Sequence, residues 1–241
     1  MDEQQLDQES WAILSQRIMQ SEQAGLVKRT FRRLDPQRQI AIVDAILYEA
    51  GEKGIKTIGI SDVAARAGVA VGSMYQYFPN RQGMIDFAID LSVHYLIDAV
   101  ELYRQYLDGY SLYDGLLTFV NAGVEMSRTQ QGMLRFYGRA AYQGDPELSE
   151  RVVKPVADSF YSLVRELIEK ARTRGEIRPD VDVEATARLI NTLLIISGDC
   201  QLFPYLNTYM NLLSPQVDSQ RMNQALVALL QEGIGPRSTI E

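Results

Sequence analysis

SDVAARAGVAVGSMYQYFPNR, residues 61–81, decides how the rest of the chain is read. Val63, Ala64 and Ala67 lay an apolar stripe along a helix of about two turns. Gly68 then supplies the positive φ that a sharp helix end wants. Val69 follows as a plug between two helices, the second starting near Val71 with Met74 and Phe78 facing inward. Left outward are Val71, Gly72, Ser73, Gln76 and Tyr77, with Tyr75 on the flank, and no carboxylate follows Asp62. Small residues let a backbone come close to a partner, and helix-start amides favour phosphate. Glutamine pairs with an adenine edge, and Val71 or a tyrosine ring touches a thymine methyl. Arg81 can reach a backbone phosphate. A helix-turn-helix with its second helix in the DNA major groove uses all of these groups. A plain helical hairpin uses only the apolar ones, and the run alone leaves both open.

The charge around this run narrows the choice. The chain of 241 residues carries a net charge of −7, unevenly spread. Residues 28–85 hold nine Lys/Arg against five acids, whereas residues 1–27 hold one against five and residues 86–241 fourteen against twenty-one. A basic segment between acidic ones suits phosphate contact, and it also suits a solvated charged face. The single cysteine, Cys200, excludes an internal disulfide and fits a reducing interior. The N-terminal MDEQQLDQES has no basic or apolar leader pattern. No apolar run approaches the roughly 18 residues that cross a bilayer. A soluble cytoplasmic protein is expected.

Outward from the run, apolar residues recur at helical spacing with no alternating strand pattern. Trp11, Leu14 and Ile18 put one face on a helix over 9–23, and Lys28–Arg33 reads as a basic linker or a phosphate-tracking arm. Asp35-Pro36 caps and starts the next helix, which ends at Gly51/Gly54. Further helices are expected near 84–107, 112–128, 130–143, 146–174, 182–203 and 216–232, with Asp182 as an N-cap. The fold class is all-α: a small N-terminal bundle and a larger C-terminal one.

ISDVAARAGVAVGSMYQYFPNRQGMI resembles the DNA-binding signature of TetR-family (tetracycline-repressor-like) transcriptional regulators. The resemblance rests on Val63-Ala64, Ala67-Gly68-Val69, Gly72-Ser73, Tyr75, Tyr77-Phe78, Arg81 and Ile85, and covers residues 36–85. It implies a three-helix helix-turn-helix domain over 35–84, preceded by an extension over 1–34 and followed by a helical ligand-binding and dimerisation domain over 85–241. It implies base-facing roles for Val71, Gly72, Ser73 and Gln76, phosphate or sugar contacts for Tyr75 and Tyr77, a lysine-like role for Arg81, and a DNA contact at Ser61. Ala70 stands where the family has a capping serine, and Ile58/Gly59 where it has threonines. The resemblance also implies a homodimer on a palindromic operator, released by a small-molecule inducer.

For that inducer, apolar walls are expected from Phe119, Val120, Met126, Phe136, Tyr137 and Phe160, which suit a hydrophobic or aromatic ligand. Leu193, Leu194, Leu226 and Leu230 on the last two long helices are the expected dimer face. Catalysis has little to work with: His94 is the only histidine, and one His with one Cys builds no zinc site of familiar spacing. No metal or cofactor is expected. The rival reading is an all-α enzyme or lipid-binding module that uses the same aromatic cavity.

Overall fold

The computed structural model describes the backbone of residues 3–236, with side chains for residue 12, 14–128 and 130–236. The helices are α1 (Glu3–Gln23), α2 (Arg29–Arg32), α3 (Pro36–Lys53), α4 (Ile60–Ala67), α5 (Val71–Tyr77), α6 (Arg81–Tyr106), α7 (Leu112–Thr129) and α8 (Gln131–Gln143). After them come α9 (Pro146–Leu148), a π-helical turn (Ser149–Val153), α10 (Lys154–Thr173), α11 (Val183–Leu202), α12 (Pro204–Met210) and α13 (Ser219–Ile234). Among the described residues there is no strand, only an isolated bridge between Ser214 and Val217. The all-α expectation holds. So do two expected caps: the Asp35 carboxylate accepts the Arg38 amide at 2.9 Å, and Asp182 accepts Ala185 at 3.1 Å.

The chain divides into two compact units. One comprises the chain up to Ala99 together with Gly132–Val156; the other comprises Val100–Gln131 and the chain from Ala157 on. The first unit is built around an aromatic core. Phe31 on α2, Phe78 after α5 and Phe87 on α6 pack on one another in tilted and edge-on contacts, with ring centroids 5.1 to 5.6 Å apart. All three are essentially fully buried. The basic stretch thus forms a short helix whose Phe31 is seated in the core, and α6 belongs to the first unit up to Ala99.

Helix α1 joins the same unit. Ile18 is buried and Leu14 half-buried, while the Trp11 side chain lies outside the described residues. Arg17 forks onto the Asp98 carboxylate of α6, Nε and Nη2 donating at 2.7 and 2.6 Å, and Arg32 on α2 pairs with Glu22.

In the second unit, α7 packs against α11 and α13. Its core includes Leu116, Phe119, Val164, Ile168, Ala187, Ile190 and Val227. Two segments were not legible beforehand: α12, and the π-helical turn that interrupts the expected helix over 146–174.

Candidate nucleic-acid interface

Helices α4 and α5 meet through a sharp turn. Gly68 sits in the left-handed region at φ 65°, and the amide of Val69 reaches back to the carbonyl of Ala64 at 3.0 Å. This closes α4 in the manner that a glycine at this place permits. Val63, Ala64, Met74 and Phe78 are buried, which fixes the inward faces of both helices. Val69, the expected plug, is half-buried.

Helix α4 is tied to α3 by charge. Arg66 donates to the buried Glu49 carboxylate at 2.7 Å, and its guanidinium lies 3.5 Å over the Tyr48 ring. Lys53 bridges Glu49 and Asp62 at 3.0 and 2.8 Å. Arg66 first, then Lys53, hold the Glu49 carboxyl below its usual range against the upward push of burial.

Helix α5 is held from behind by α2. The last three residues of α5 leave backbone carbonyls with no helical partner. Lys28 Nζ donates to the carbonyl of Tyr75 at 2.8 Å, the Thr30 hydroxyl to that of Gln76, and the Lys28 amide to that of Tyr77 at 2.7 Å. A cation at a helix C-terminus is favourable as well. The KRTFRR stretch therefore positions α5, and Lys28 is engaged with the protein itself.

The outward residues of α5 have no such duties. Val71, Gly72, Tyr75 and Gln76 are exposed, Tyr75 to 54%. Ser73 is half-buried, and Tyr77 is half-buried with its ring edge-on to Phe31 at 6.1 Å. Ser61 is exposed on α4. Gly72 is the informative one. Its backbone is helical, and a Cβ built there meets nothing within 4 Å. Glycine inside a helix costs about 1 kcal/mol relative to alanine, and neither packing nor φ asks for it here.

Arg81 has partners within the fold. Its Nε and Nη2 donate to the carbonyls of Ile58 and Ile55, both at 2.6 Å. The guanidinium thereby fastens the turn before α4 to the start of α6, and its role in the fold is positional.

Two family profiles match this chain. Bacterial regulatory proteins of the tetR family match residues 42–86, the segment that builds α3 to α5, and the tetracyclin repressor-like C-terminal domain matches residues 107–197. The chain belongs to the TetR family. It is 27% identical over 156 residues to an uncharacterised helix-turn-helix transcriptional regulator, YvdT of Bacillus subtilis, covering 64% of this chain and 76% of that one. Among solved structures, the fatty acid degradation regulator FadR of Bacillus halodurans superposes with a TM-score of 0.62 at 20% identity, over 85% of this chain and 100% of that one. FadR of Bacillus subtilis, solved in complex with stearoyl-CoA, gives 0.56 at 18% identity, over 80% and 98%. At these identities the structures speak for the fold, and the family makes the chain a transcriptional regulator.

The expected inducer residues of this TetR-family regulator fall in different units. Phe136 and Tyr137 belong to the first, where Phe136 is buried and the Tyr137 hydroxyl faces the Val153 carbonyl at 3.5 Å. Phe119, Val120, Met126 and Phe160 belong to the second. There Phe119 meets Tyr103 edge-on at 6.0 Å and Phe160 at 5.7 Å. A cleft of about 230 Å³ within the second unit is lined by Leu112, Leu116, Glu176, Val227, Leu230 and Ile234 among others, and none of the six expected residues lines it.

The four leucines of the expected dimer face differ in exposure within the single chain. Leu194 and Leu230 pack onto the core of the second unit, and Leu226 is half-buried. Only Leu193 of the four is exposed, joined by Leu189 at 66% and Leu229 at 67%. Successive helical residues point about 100° apart, so Leu193 and Leu194 lie on different parts of the helix surface. Ala187, Ile190 and Leu194 take the inward side of α11, which leaves Leu189 and Leu193 outside.

Proposed function

We propose that this TetR-family regulator is a cytoplasmic, ligand-responsive repressor that binds a palindromic operator as a homodimer. The observation that carries the reading is the outward face of α5, where Val71, Gly72, Tyr75 and Gln76 are exposed and the fold does not require the glycine. Ser61, Ser73 and Tyr77 flank this face. Each copy places one α5 in a major groove, with Gln76 reading a base edge and Tyr75 contacting phosphate or sugar. Leu189, Leu193 and Leu229 form the face that meets a second copy.

The inducer is hydrophobic or aromatic, and the cluster of Tyr103, Phe119 and Phe160 supports that chemistry. Val120 and Met126 lie on the same helix as Phe119. Ligand binding and operator binding oppose each other through a coupling of about 1–3 kcal/mol. The protein is not an enzyme in this reading: His94 sits on the surface of α6 with Nδ1 2.8 Å from the carbonyl of Asp90 one turn back.

Gel-shift titration on operator DNA tests both halves. Gln76→Ala should relax preference at one base pair per half-site by about 1–3 kcal/mol. Stearoyl-CoA, the ligand of one structural neighbour, is the first probe for release. An unchanged sequence preference in Gln76→Ala would remove the base-reading role.

A further inference from the structure

The chain between α11 and α13 is an ordered arm. Phe203 is buried at its base, and Pro204 starts α12. The Asn207 side chain clamps the far end twice, its Nδ2 donating to the Leu213 carbonyl at 3.0 Å and its Oδ1 accepting the Leu213 amide at 2.8 Å. Asn211 turns the chain at φ 51°. Ser214 and Val217 exchange two backbone hydrogen bonds, of 3.1 and 3.0 Å, and Arg221 Nη1 holds the Gln216 carbonyl at 2.8 Å.

All this order presents apolar groups to water. Tyr205 and Tyr209 lie one turn apart on α12, exposed to 58% and 82%, with Met210 exposed beside them. Residues 203–217 contain no Asp, Glu, Lys or Arg, in a chain that is 23% charged. Such a surface has nothing to offer a polyanion. It has the composition of the centre of a protein interface, where charge is depleted and Tyr and Met are enriched.

We propose that this arm seats on a second copy of the same chain, with Tyr209 as its anchor. The inference rests on the homodimer reading and extends it. Position argues for the second copy: the arm directly joins the helix carrying Leu189 and Leu193 to the one carrying Leu229. Area argues for it too. Stripes about 10 Å wide along helices of 20 and 16 residues give on the order of 500 Å² per copy. A stable interface takes about 800 Å² per partner. Two largely exposed tyrosines add roughly 200–300 Å². A held loop also loses little entropy on docking, which favours an anchor of this kind.

A photo-crosslinking amino acid at position 209, in a mixture of two differently tagged full-length copies, reads the contact directly. Crosslinks between the two tags are expected. Sedimentation equilibrium of the Tyr205→Ser/Tyr209→Ser double variant should show dimerisation weakened about 10–100-fold, with the far-UV circular dichroism of the native chain. A native protein that stays monomeric at about 100 μM overturns the homodimer reading, and the arm with it. A native dimer whose Kd is unchanged in the double variant, or whose crosslinks stay within one copy or do not form, overturns the arm alone.

Discussion

Two surfaces of this protein carry residues that its own fold does not use, and they differ in kind. On α5 the surplus is small, polar and aromatic: Gly72, Tyr75 and Gln76. Along α11 and α13 it is aliphatic: Leu189, Leu193 and Leu229. The first surface offers hydrogen bonds and close backbone approach, which fits a groove edged by phosphates. The second offers only area removed from water, which fits another apolar face. The contrast in chemistry supports the two proposed partners: nucleic acid for one surface, a second copy for the other.

The largest expected effect comes from the scaffold behind the first surface. Phe31→Ala should cost the first unit about 3–5 kcal/mol in chemical denaturation, since it removes a buried ring from the aromatic core. DNA binding should fall with it, because α2 then releases the end of α5. If α2 were a solvated linker, the substitution would be nearly silent.

Next comes the second surface. Leu189→Glu with Leu229→Glu should leave the monomer folded and shift the protein from dimer to monomer at micromolar concentration, read by sedimentation. Burying two unpaired carboxylates in an interface is costly, whereas both positions are open in the single chain. A persistent dimer would move the interface elsewhere.

The smallest effect in energy sharpens the contrast most. Gly72→Ala should raise the melting temperature slightly, by up to about 1 kcal/mol in stability, because alanine is the better helix former. It should nevertheless weaken operator binding. Gly68→Ala is the control: at φ 65° it should destabilise the fold by about 1–2 kcal/mol. Gly72→Ala with full DNA affinity would return that glycine to chance.

How much was legible in the sequence depended on the range of the interaction. Caps at Asp35 and Asp182, the turn at Gly68 and the inward Met74/Phe78 pair are local, and they follow from residue type and spacing. Long-range docking was not legible. Nothing in KRTFRR shows that Phe31 enters a core completed by Phe87, 56 residues away, or that Lys28 bonds the end of α5. Nor does the position of Arg81 after α5 show that it bonds the carbonyls of Ile55 and Ile58. The leucines of the last long helices are legible as a group only, since a run such as Leu193-Leu194-Ile195-Ile196 is apolar all round its helix and hides which side faces the core. The aromatic residues after position 100 are legible to a similar degree: spacing marks them as inward but does not say into which unit.

The central claim is that paired copies present α5 to DNA, and in vitro selection from random double-stranded DNA tests it most directly. The purified protein should enrich an inverted repeat whose half-sites lie about one helical turn, or slightly more, apart. Enrichment of an isolated half-site or a direct repeat, or no enrichment above non-specific binding, would contradict it.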